Sequence, residues 1–471
     1  MDAQERIYWG EETDKALKNF GINTVSESGF SKGAMPRELI RAFGEVKLAA
    51  IMAMQEYSSV YPEDYFQILT TVTEEIAEGK HDRQFPLDLR QGGAGTSLHM
   101  NINEVIANMS NDRYTGNWRG AHPLDHIGLY QSTNDTFPTA LTIMVYRYLL
   151  ILEEEVIRLQ EVLVEKELKY QSIIMTGRTE LQDALPITLG QVFASWTGPV
   201  ERDRWRIHKL KERLRNIPLG GTAIGTCYSA PRKFVFLAEK YLRTITGLPL
   251  CRSQNLTDEV ANKDSLAETA MGFRLAAGNI KKLSSDLLLY TSSFLGELRH
   301  PDLQYGSTIM PLKSNPVLLE YIKGLAMEVE HEADKIHSYS NEGQLQLNPF
   351  LPFMARSFHT LFESLTECYR TLSDKFYPGM GVNEDRIKSN LINSPALINT
   401  LRDKIDYSTL KELFSVVNIR KPKDMDEFRE LLKEVLEKQG KGMEKQLQSI
   451  FDPDSLTGFS SITKNTENTQ E

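Results

Sequence analysis

Gly306-Ser-Thr-Ile-Met-Pro-Leu-Lys-Ser-Asn-Pro316 combines a Gly-Ser start, a lone cation, a side-chain amide and two prolines. That composition suits a loop closing over a small anion. Gly306 supplies a hinge. Ser307 and Thr308 offer hydroxyls, and Lys313 offers a compact positive charge for a carboxylate or phosphate. Pro311 and Pro316 keep the segment out of a helix interior. Taken alone, the same residues also suit an ordinary surface loop.

Other blocks repay the same reading. Upstream lie Gln91-Gly-Gly-Ala-Gly-Thr-Ser-Leu-His-Met-Asn-Ile-Asn-Glu104, Gln131-Ser-Thr-Asn-Asp-Thr-Phe-Pro-Thr139 and Gly177-Arg-Thr-Glu-Leu-Gln-Asp-Ala-Leu-Pro186. Downstream lies Gly343-Gln-Leu-Gln-Leu-Asn348. In this order the blocks resemble the signature segments of the aspartase/fumarase superfamily. Its mobile loop reads Gly-Ser-Ser-x-x-Met-Pro-x-Lys-x-Asn-Pro; here Thr308 replaces the second serine and Leu312 a frequent glycine. The resemblance implies an all-α, three-domain fold. It also implies a homotetramer whose long central helices form one shared bundle, with active sites built from three subunits and no organic cofactor.

Composition is compatible with such an enzyme. At 471 residues, with 41% hydrophobic and 25% charged residues, the chain is long and apolar enough for several domains. A net charge of −10 argues against a nucleic-acid surface. Cys227, Cys251 and Cys368 lie far apart, without metal-ligand or disulfide spacing, which suits a reducing cytosol. His331 and His337 are six apart, which is not the i, i+4 spacing of a helical zinc pair. The polar N-terminus lacks a signal-peptide core, and no apolar run is long enough for a membrane span.

Periodicity predicts long helices. Leu149, Leu152, Val156, Leu159 and Leu163 form one stripe, and Leu266, Ala270, Phe273, Ala277, Ile280, Ser284 and Leu287 form another. A third helix is expected over 317–338. No segment shows sustained strand alternation. Helices this long exceed the usual length of about 11–12 residues and indicate a bundle. The expected layout is a mixed helical domain over 1–133, a long-helix domain over 134–385 and a small helical domain over 386–471. The tail beyond Gly458 reads as disordered.

β-Elimination from a four-carbon dicarboxylate needs a base for a weakly acidic C–H and fixed donors for the enediolate that follows. Thr96, Ser132, Thr133, Asn134, Thr179 and Asn315 are candidate neutral donors, with Lys313 as the cation. In the resemblance, Ser307 is the base, acting as an alkoxide. Lys313 and Asn315 bind a substrate carboxylate, and Glu320 orients a histidine. Gly92-Gly-Ala-Gly-Thr-Ser97, the Ser132-Thr133 pair and Gly343–Asn348 lean toward the aspartase side, with a small dicarboxylate as substrate. Fumarase, a lyase for an N-substituted aspartate, and a non-catalytic member of the fold are the alternatives.

The chain departs from the pattern in places. Glu180 stands where the family usually carries His or Gln, and His99 where it usually carries Asn. Two carboxylates about 4 Å apart, as Glu180 and Glu320 would be if both lined the site, repel by about 4 kcal/mol at an effective dielectric of 20. Either His99 and Glu180 form a compensating pair, or Glu180 recognises a substrate ammonium, or it turns toward a surface arginine. Cys227, replacing a usual glycine, reads as a packing change. Ile405-Asp-Tyr-Ser-Thr409 and the Thr457-Gly-Phe-Ser end depart further.

Overall fold

Apolar residues three and four apart share one face of a helix. The computed structural model, which describes residues 6–20, 35–304, 306–402 and 405–438, buries Leu149, Leu152, Val156, Leu159 and Leu163 in a helix over Thr133–Lys169. The second stripe is equally buried along Asp264–Tyr290, and the third helix runs Val317–Asn341. Leu189–Arg213 and Leu351–Arg370 complete the long helices. The architecture is all-α. Sheet among the described residues is confined to two-stranded pieces, and no described helix is long and apolar enough to cross a membrane. The Thr457-Gly-Phe-Ser end and the tail beyond Gly458 lie outside the described residues.

The chain divides into two compact units. One comprises Met1–Glu154, Arg204–Gly278 and Ala326–Thr366; the other comprises Glu155–Asp203, Asn279–Leu325 and Glu367–Glu471. In the first, the Arg37–Ser58 helix is buried on most of its circumference. A Cβ at Gly44 would lie 3.0 Å from the Ala77 Cβ, so this helix meets Glu63–Ala77 at close range. Glu104, the last residue of its sequence block, is a helix cap. Its carboxylate accepts the N–H groups of Gly10, Glu12 and Thr13 and the Thr13 hydroxyl, at 2.6–3.3 Å.

The second unit holds a hairpin, Ile174–Thr179 with Gln182–Thr188, where sequence periodicity indicated no strand. The register slips between Thr176 and Arg178, and a Cβ at Gly177 would lie 2.8 Å from the Leu185 carbonyl oxygen. This irregularity breaks the inside–outside alternation by which a strand is recognised. The hairpin is anchored by Arg178, whose guanidinium makes a bidentate contact to fully buried Glu297 at 2.8 and 2.9 Å and bonds Asp183 at 3.0 Å. A carboxylate buried that deeply is tolerated because the guanidinium fork pairs with both oxygens. Ile174 packs against an apolar cluster that includes Leu391, Leu397, Leu413, Phe428 and Leu432.

Candidate active site

The candidate residues fall in both units. Thr96, His99, Ser132, Thr133 and Asn134 belong to the first; Thr179, Glu180, Ser307, Lys313, Asn315 and Glu320 belong to the second.

In the first unit, Gly93, Ala94 and Gly95 take φ of 71°, 57° and 91°. A Cβ at Gly95 would lie 2.2 Å from the Phe137 ring, so both backbone hand and space demand glycine there. The turn brings Thr96 to the start of the Thr96–Arg113 helix, exposed, with its hydroxyl donating to the Gly93 carbonyl at 2.7 Å. Ser132 and Asp135 form a capping box at the next helix. Ser132 Oγ accepts from the Asn134 N–H at 3.2 Å, and Asp135 Oδ1 accepts from the Ser132 N–H at 3.0 Å. Asn134 Nδ2 donates to the Ala223 carbonyl at 2.7 Å. Nearby, Cys227 adopts φ 55°, so the glycine it replaces suits the backbone conformation as well as the packing.

Behind Thr133 lies Lys47, which sequence reasoning missed. It is fully buried in the Arg37–Ser58 helix. Its Nζ donates to Gln131 Oε1 at 2.8 Å and lies 2.6 Å from His99 Nε2, while His99 Nδ1 lies 2.9 Å from Thr133 Oγ1. Burial pushes the lysine down to about 7, with the Asp135 charge acting the other way. Burial likewise pushes Asp135 up to about 6, against the pull of backbone donors and of Lys47. Burial first, and then the Lys47 charge, hold His99 well below the usual imidazole range. Both ring nitrogens of His99 are engaged inside this unit. The imidazole stands beside the Thr133 hydroxyl. The sequence signal for Lys47 is a lysine within the apolar run Val46-Lys-Leu-Ala-Ala-Ile51.

In the second unit, Thr179 pairs with Gln182, and Glu180 and Leu181 form the two-residue turn at φ 53° and 62°. Positive φ at both positions is the type I′ signature, and it leaves Glu180 exposed at the hairpin tip. The loop after residue 305 folds back on itself. Asn315 Nδ2 donates to the Gly306 carbonyl at 2.5 Å. A Cβ at Gly306 would lie 2.1 Å from the Lys313 carbonyl oxygen, so glycine serves this close crossing where the sequence suggested a hinge. Half-buried Ser307 accepts two backbone N–H groups at its Oγ, from Ile309 at 3.2 Å and from Met310 at 3.1 Å. Lys313 is exposed, and Glu320 is exposed in the first turn of Val317–Asn341. Asn348, by contrast, is fully buried in the first unit. Its amide donates to the Tyr339 and Ser340 carbonyls at 2.9 and 3.1 Å and accepts from Phe350, which makes it structural. Among the described residues no cluster of His, Cys, Asp and Glu is arranged to hold a metal.

The chain is similar to known proteins along most of its length. A family model described as lyase matches residues 2–330. The aspartate ammonia-lyase of Bacillus subtilis is 34% identical over 407 residues, covering 85% of this chain and 84% of that protein. The class II fumarate hydratase of Thermus thermophilus is also 34% identical, over 416 residues, covering 86% and 87%. A crystal structure of a fumarate lyase:delta crystallin from Brucella melitensis superposes with a TM-score of 0.85 at 29% identity, covering 97% of each chain. Matched along most of its length by relatives of both kinds, the chain belongs to the lyase family and, within it, to the aspartase/fumarase superfamily.

Proposed function

We propose that this lyase eliminates ammonia from L-aspartate, or from a close amino-dicarboxylate, to give fumarate reversibly through an enediolate. The observation that carries the reading is Ser307 Oγ under two backbone N–H donors. Hydrogen bonds to a charged acceptor contribute about 1.5–3 kcal/mol each. Two of them favour the alkoxide by about 3–6 kcal/mol, or roughly 2–4 pKa units. An alcohol, about as weakly acidic as bulk water, needs more than that. The remainder falls to the Lys313 ammonium and to exclusion of water when the loop meets substrate.

In the proposed reaction the Ser307 alkoxide takes a proton from C3. The C–H electron pair moves into the adjacent carboxylate and generates the enediolate dianion. Lys313 and the second N–H of Asn315 face that carboxylate, with Thr96, Ser132, Thr133, Asn134 and Thr179 as further donors. The enediolate then collapses, the C2–N bond breaks, and ammonia leaves with its electron pair and takes up a proton. Glu180, a carboxylate on an exposed turn, suits the substrate ammonium, while Glu320 adjoins the base-bearing loop. The same reading carries a homotetramer; exposed Leu275 and Leu289 on the Asp264–Tyr290 helix are apolar surface available to partner subunits.

Equal identity to a fumarate hydratase favours one second reading, hydration of fumarate to malate. Ultraviolet absorbance separates the two. Fumarate appearing from aspartate supports the ammonia-lyase. Fumarate from malate alone supports the hydratase, and N-substituted aspartates probe a wider amine pocket.

A further inference from the structure

We propose that Lys47 and His99 form a buried positioning pair that fixes the Thr133 hydroxyl as a hydrogen-bond donor to an anionic oxygen. An ammonium group has donors and no acceptor. In its ammonium form Lys47, whose Nζ lies 2.6 Å from His99 Nε2, therefore requires that nitrogen to be unprotonated. A neutral ring with bare Nε2 carries its proton on Nδ1. The Nδ1–H then donates to Thr133 Oγ1 at 2.9 Å. With its oxygen accepting from the ring, the hydroxyl directs its own hydrogen away from His99. The opposite tautomer sets an N–H against an ammonium, leaving buried donors unpaired. Gln131 Oε1 takes another Lys47 proton at 2.8 Å and fixes the approach of the ammonium. Burial keeps the imidazole neutral near pH 7, as the arrangement requires.

The chemical consequence is selectivity. A hydroxyl obliged to donate suits a carboxylate oxygen and rejects an ammonium. Within the ammonia-lyase reading, on which this part rests, Thr133 faces a carboxylate end of the substrate while Glu180 faces the amine. An Asn or Gln at position 99 presents the same order of groups, an amide oxygen toward Lys47 and an amide N–H toward Thr133. Leucine presents neither.

The full-length protein labelled with 15N-histidine gives a direct readout, with the His99 signals assigned by their loss in H99N. The expected spectrum shows protonated Nδ1 and bare Nε2 at pH 6, where Lys47 is mostly an ammonium, in the wild type, and a change of tautomer in K47M. A wild-type ring protonated on Nε2, or on both nitrogens, overturns the proposal. Kinetically, H99L is expected to raise KM about tenfold, H99Q to restore most of the loss, and H99L in a T133V background to cause no further change. Additive effects of H99L and T133V, or a T133V enzyme with unaltered KM, overturn the donor role. If no amino- or hydroxy-dicarboxylate is turned over by the wild type, the lyase reading falls by itself, and the tautomer still decides the Lys47–His99 pair.

Discussion

Thr133 and Ser307 are both hydroxyls at candidate reacting positions, yet their supports are opposite in kind. Thr133 is buried and held by side chains distant in sequence, His99 and, through it, Lys47. Ser307 is half-buried and held by the N–H groups two and three residues downstream. Groups that must present fixed dipoles to developing charge benefit from a rigid, preorganised setting. A base that must meet substrate and later release product benefits from a segment able to rearrange on its own. The first region is built like core and the second like a loop, which matches the roles proposed for them.

The largest expected effect tests the loop side. S307A removes the base, and kcat is expected to fall about 10²–10⁴-fold; a variant retaining most of its turnover rules Ser307 out. The next test leaves chemistry aside. R178M strands the buried Glu297 carboxylate, and urea unfolding is expected to show a loss of about 3–5 kcal/mol. An unchanged midpoint removes the anchoring role given to this pair.

Lys47 tests the buried region through pH. Its folded pKa of about 7 lies below its ordinary 10.5. Between those values the unfolded chain binds more protons, so the lysine's contribution to stability is complete above 10.5 and is lost as pH falls toward 7. K47M lacks this gain. The stability difference between wild type and K47M is expected to move by about 2–3 kcal/mol in favour of wild type between pH 7 and pH 9, two pKa units above the folded value. A difference that stays constant with pH contradicts the burial argument.

Smaller effects probe substrate contacts. K313A loses a charge-assisted contact of about 1.5–3 kcal/mol, so kcat/KM is expected to drop about 10–100-fold, with KM and kcat both affected. E180Q sits at an exposed turn, where charge pairs contribute about 0.2–1 kcal/mol. KM for aspartate is expected to rise no more than about fivefold, while stability is unaltered. An equal rise with malate as substrate argues that Glu180 does not read the amine.

Much of the fold is legible in the sequence because helix periodicity is local. The burial of Leu149 through Leu163 and of Leu266 through Leu287 follows from spacing alone. The 306–316 loop is legible for the same reason, since its prolines, its glycine and the Ser307 contacts all act over a few residues. The hairpin over 174–188 escaped because a register slip and a polar tip erase strand alternation. His99 is readable as an unusual residue, but its surroundings are not. Its partners Lys47 and Thr133 lie 52 and 34 residues away, and Glu297 lies 119 residues from Arg178. The sequence by itself therefore determined the family, the helices and the 306–316 loop. Only the tertiary structure decided which buried charges face which polar groups, because such pairing depends on which helix faces meet and leaves no period along the chain.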